Sequence, residues 1–187
     1  MERADFHGHP ILHPKSDPEF GLERYTKECL KREITIPPIT SFTGRYNDTR
    51  FEDFYNDIIP RTWYKERFRE GFVLYTPEDR LIFLRSQEVV MESGLHLLLI
   101  GLPKNVKSLR SIDETFKEAE GALIVADHPL VSKRRGGLGR ENVIKYKDRI
   151  DALESNSQMK DPLPLSFGPL RVSKKNEEVY RLASEIN

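Results

Sequence analysis

Two hydrophobic periods alternate along this chain. Leu22, Tyr25, Cys29 and Leu30 recur at i, i+3, i+7 and i+8, which predicts a helix over 19–31. Ile34-Thr35-Ile36 is β-branched and closed by Pro37-Pro38, the signature of a short strand. Ile39 to Phe42 follows, before a polar turn through Gly44 and Asn47-Asp48. The stretch 50–64 is rich in aromatics, with Phe51, Phe54, Tyr55, Trp63 and Tyr64, and reads as short helices broken near Pro60. Packing against a barrel wall, in preference to stacking on a substrate, is the expected role of these rings. Phe72 to Tyr75 and Leu81 to Leu84 are strand-like runs about a turn at Pro77 to Asp79, and 85–90 reads as a continuation of the second run.

His96 to Gly101 is a buried-type strand, and Ser111 with Glu114 forms a capping box ahead of Ile112, Phe116 and Ala119. Gly121 stops that helix. Ala122 to Ala126 is the clearest buried strand, and it runs directly into Asp127-His128-Pro129. A helix over 141–149, a short strand over 150–154 and a helix over 175–186 complete the pattern. The last carries Val179, Leu182, Ala183 and Ile186 at i, i+3, i+4 and i+7. Strands alternating with helices predict one α/β domain over residues 1–187 with a mostly parallel sheet.

Composition narrows the function. Thirty Lys and Arg balance thirty Asp and Glu, which argues against a protein devoted to coating nucleic acid. Charged residues at 32% and hydrophobic ones at 37% predict a soluble globular chain. No run approaches the ~20 apolar residues of a membrane span. A single cysteine, Cys29, rules out an internal disulfide, so a cytoplasmic location is expected.

The candidate chemistry is histidine and carboxylate. Asp5-Phe6-His7-Gly8-His9 places Asp5, His7 and His9 on one face of an extended strand, where two imidazoles can grip a divalent ion. On the residues alone, His7 and His9 read equally well as exposed loop residues. Glu88, His128 and Glu154 also follow apolar strands, the end at which α/β folds carry their sites. Lys133-Arg134-Arg135 with Gly136-Gly137 reads as a solvated loop or, beside a metal, as a phosphate-binding one, with Arg134 and Arg135 as its contacts.

In this order the motifs resemble those of the polymerase and histidinol phosphatase (PHP) family of metal-dependent phosphoesterases. Asp5-x-His7-x-His9 is similar to the family's opening motif. Ser86-Gln87-Glu88-Val89 and His96-Leu97-Leu98-Leu99-Ile100-Gly101 resemble its "Gly-x-Glu-Val … His-x-Leu-x-x-Gly" block. Val125-Ala126-Asp127-His128-Pro129 resembles its "Ala-His-Pro" strand end, and Ile150 to Asn156 its "Asp-x-Ile-Glu-x-x-Asn" strand.

The resemblance implies a distorted (β/α) barrel and hydrolysis of a phosphate ester: a phosphomonoester, a nucleotide or an oligonucleotide end. It implies two divalent ions, zinc, manganese or iron, with His7 and His9 on one, Glu88 bridging, and His96 and His128 completing the second. Glu88 and His128 are the catalytic candidates. Glu154 reads equally as a support for the site or as a plain strand end.

Two departures from the family pattern set an alternative. Thr40-Ser41-Phe42 stands where many members have Thr-Asp-His, and no Ser-Asp-x-His follows the final helix. These departures predict a barrel incomplete at the C-terminus, with the strand near 150–153 at a sheet edge or a partner chain completing the barrel. The alternative function is a catalytically impaired PHP-like domain that binds or scaffolds within a nucleic-acid-processing complex.

Overall fold

The computed structural model describes residues 3–4, 18–43, 50–59, 61–76, 79–130, 136–154 and 174–186. Among these residues the strands fall into three sheets. A small parallel pair joins β1 (Arg3–Ala4) to β2 (Ile34–Ile36), separated in sequence by helix α1 (Pro18–Lys31). A three-stranded antiparallel sheet is built from β4 (Lys65–Phe68), β5 (Gly71–Tyr75) and β6 (Arg80–Leu84). The main sheet has five strands in the order β10-β9-β8-β7-β3. They are β3 (Thr40–Thr43), β7 (Ser86–Val90), β8 (His96–Ile100), β9 (Leu123–Ala126) and β10 (Ala152–Leu153). The other helices are α2 (Arg50–Asp53), which runs into a π-helical turn at Phe54–Ile58, α3 (Ile112–Glu118), α4 (Arg140–Lys145), followed by a 3-10 turn at Lys147–Arg149, and α5 (Lys174–Ile186).

The main sheet is mixed, where the sequence pattern predicts a mostly parallel one. β3 with β7 and β9 with β10 pair parallel, but β8 runs antiparallel to both neighbours. The cause lies in the link from β7 to β8. Met91 N donates to Leu95 O at 2.8 Å and Gly94 takes φ 76°, closing a hairpin too short for a parallel crossover. Among the described residues the strands form no closed barrel, and β10 lies at the end of its sheet, as expected for the 150–153 stretch.

The predicted continuation of β6 through 85–90 is broken at Arg85. Strands β6 and β7 belong to different sheets, and Arg85 is the joint between them. Its carbonyl accepts from Gly101 N at 3.0 Å, and its N–H donates to Glu70 O at 2.8 Å. Its guanidinium meets Glu52 at 2.5 Å and stands over the Phe51 ring. Glu52 also takes a two-oxygen contact from Arg67, at 2.7 and 3.0 Å. Burial alone would raise the Glu52 carboxyl pKa, but the hydrogen bonds and charges of the two arginines outweigh it and hold the pKa below the usual 4.5.

Alternation in the main sheet divides its residues between two faces. Val89, Leu97, Leu99, Ile124 and Ala126 point to a core closed by Phe116 and Ala119 of the α3 region, Val143 of α4 and Leu182 of α5. Gln87 shares that face and is fully buried; its amide takes Val106 N at 2.8 Å and gives to Val106 O at 2.7 Å, as a strand neighbour would. The opposite face carries Leu98, Ile100 and Val125, packed with Leu84. A second core lies on the three-stranded sheet, where Phe51, Phe54, Phe72 and Phe83 are buried together and the Phe72 and Phe83 rings stack at 4.9 Å. Phe51 and Phe54 take a packing role, but on this three-stranded sheet and not on a barrel wall, with Tyr55 and Trp63 half-buried beside them, whereas Tyr64 is exposed. Gly71 is required here, because a Cβ would come within 2.0 Å of Phe83 O. No helix among the described residues is long and apolar enough to cross a membrane.

Candidate metal centre

Strand register brings the candidate residues together. Val90 stands across from His96, and Leu97 across from Ala126. One further step along that ladder sets His96 across from Asp127. The parallel pairing of Leu153 with Ala126 likewise sets Glu154 beside Asp127. Glu88 lies two residues before Val90 and therefore faces the same side. The carboxyl ends of β3, β7, β9 and β10 thus meet the amino end of β8, and their polar residues gather on the Leu98–Val125 side.

The contacts follow from that placement. His96 Nδ1 lies 2.6 Å from Glu88 Oε1 and 3.9 Å from Asp127 Oδ2. His128 Nδ1 lies 3.3 Å from Asp127 Oδ1 and 2.6 Å from Glu154 Oε2. Glu154 Oε2 also accepts from the His128 backbone N–H at 2.9 Å. Glu88, Asp127 and His128 each offer a ligand atom, all within 4.8 Å of one another. Asp127 is fully buried and Glu88 is 5% exposed.

Two backbone features hold the imidazoles in this geometry. His128 has φ 45°, a left-handed conformation that costs a non-glycine residue about 1–3 kcal/mol. It turns the chain sharply off β9, so that the ring returns toward Asp127. Gly136, at φ 82°, accepts from His96 N at 2.8 Å. A Cβ there would fall 2.4 Å from the His96 ring, so only glycine lets the backbone close over that imidazole.

The donor set fits a divalent cation. Two buried carboxylates are costly to desolvate, by several kcal/mol each, unless an opposite charge offsets them. Imidazole with carboxylate suits zinc, manganese or iron. Glu88, Asp127 and His128 would hold the ion, with His96 against Glu88. A bound ion there supplies Lewis acidity and an acidified water.

Of the residues picked from sequence, Glu88, His96 and His128 converge. His7, His9, Arg134 and Arg135 lie outside the described residues. Asp127 is the member that the predicted ligand set omits. Its signal was present: it follows Val125 by two positions, on the same face of a buried strand. Glu154 reaches the site through His128.

The fold and site define a mixed α/β domain with a buried carboxylate–imidazole cluster at the carboxyl edge of its main sheet. No family model, curated protein or solved structure matches the chain.

Proposed function

We propose that this chain is a metal-dependent hydrolase of phosphate esters with a PHP-like fold. The observation that carries the proposal is the approach of Glu88, Asp127 and His128 ligand atoms to within 4.8 Å, with His96 against Glu88. These residues come from motifs spread over 88–128 that resemble one family's in order. In this reading Glu88 and His128 hold the reacting centre, and His7 and His9 extend it to two ions. Ions held by these residues would supply positive charge for a phosphate and an acidified water. Arg134 and Arg135 contribute cationic charge to the phosphate. The substrate is a phosphorylated small molecule, a nucleotide or an oligonucleotide end, and the protein works in the cytoplasm.

One observation favours the second reading, a PHP-like domain that binds without turnover, with a partner chain completing the barrel. Phe42 is the residue in register with Glu88 on β3, where the family carries a metal-binding histidine. The deciding experiment is phosphate release from a generic ester with added manganese or zinc. Hydrolysis by the wild type that Glu88→Gln abolishes supports the enzyme. Metal binding without phosphate release supports the scaffold. Equal rates from wild type and variant would mean that the activity comes from another site.

A further inference from the structure

The last described residue of the 150–154 stretch, Glu154, lies beyond a strand of only two residues. That strand is held at both ends by carboxylates. Asp151 Oδ2 accepts from Ile124 N at 2.7 Å before the paired residues, and Glu154 Oε2 accepts from His128 N at 2.9 Å after them. Backbone bonds run alongside, from Asp151 N to Ile124 O and from Glu154 N to Ala126 O. The register of β10 on β9 is therefore pinned on each side, and a slip of one residue would send the Glu154 side chain to the other face.

One oxygen of Glu154 serves two groups of the same residue. Oε2 takes the His128 backbone N–H and also lies 2.6 Å from its Nδ1. His128 needs such a hold, because its left-handed backbone is an unfavourable conformation for a histidine. Glu154 is absent from the close group formed by Glu88, Asp127 and His128. Its side chain is 14% exposed and that of His128 13%, so the pair is shielded from solvent.

We infer that Glu154 is the positioning residue of the metal centre. It fixes the backbone and the ring of His128 together and raises the ring's affinity for a cation through its negative charge. Carboxylates placed behind metal-binding imidazoles commonly act in this way, and their loss costs about 10–100-fold in metal affinity. The inference rests on the metal-site reading of Glu88, Asp127 and His128.

Two variants separate this role from a purely structural one. Glu154→Gln keeps an oxygen for the His128 N–H but loses the charge. Glu154→Ala loses both. Zinc ion titrated by calorimetry into chelator-stripped wild-type and variant proteins is the probe, alongside the thermal midpoint of each metal-free form. The expected result is a metal-free midpoint for Glu154→Gln close to wild type with zinc affinity at least about tenfold weaker. Glu154→Ala should lose both midpoint and affinity. Zinc binding by Glu154→Gln equal to wild type would overturn the positioning role and leave a backbone clamp. A wild type that binds no zinc would overturn the metal-site reading and this inference with it.

Discussion

Glu88 and Asp127 are buried carboxylates on the sheet face that also carries the apolar Leu98, Ile100 and Val125. Burying them carries a desolvation cost that a bound cation would offset. Glu88→Gln should therefore weaken zinc or manganese binding by at least about tenfold. The same change should leave the metal-free fold about as stable as wild type, because the amide keeps a hydrogen-bonding group for His96 while one buried charge is lost. Calorimetric titration and chemical denaturation measure the two effects. Gly136 gives a prediction of the opposite kind. Gly136→Ala puts a methyl into the His96 ring at a left-handed position. Its expected cost is about 1–3 kcal/mol in urea denaturation, with weaker metal binding from the displaced imidazole. Unchanged stability in that variant would mean that the loop does not close over His96.

Much of the secondary structure was written in the hydrophobic period. The 19–31 helix, the Ser111–Glu114 capping box and the buried run into Asp127 all appear where the pattern put them. Strand direction was not legible in the same way. An apolar run such as Leu97 to Ile100 looks alike in either sense, and only the short 91–95 link betrays the hairpin. Nor does the period show that Arg85 breaks one run into strands of two sheets, because both halves are β-formers. At the break Arg85 is held by tertiary bonds, its backbone to Glu70 and Gly101 and its side chain to Glu52.

The bond from Arg85 to Glu52 has a pH signature. The folded Glu52 carboxyl sits below its unfolded value near 4.5, so the unfolded chain binds the proton more readily. The resulting stability is fully present above about pH 4.5 and is lost as pH falls through the lowered folded value. Glu52→Gln should reduce stability at neutral pH, and the difference from wild type should shrink as pH is taken well below 4.5. Denaturation midpoints at neutral pH and in that acid range test this. A difference that does not shrink would place the effect in packing instead of charge.

At the scale of the molecule, the candidate centre is a product of topology. Residues 88, 96, 127, 128 and 154 come from four strand ends and meet because β8 enters where its neighbours leave. The sequence motifs identified Glu88, His96 and His128 but not how Asp127 joins them, since that depends on register across the sheet. A metal bound by the folded protein and not by the unfolded chain raises the thermal midpoint as its concentration rises above the dissociation constant. Adding a chelator should reverse that rise, and Glu88→Gln should blunt it.

The most direct test of the metal centre is zinc or manganese titrated into chelator-stripped protein, wild type beside the double variant Glu88→Gln, Asp127→Asn. Removal of two ligands from one cluster predicts saturable binding to the wild type and its loss in the double variant. Wild-type protein that shows no saturable binding, or a double variant that binds as tightly as wild type, would contradict a metal site at these residues.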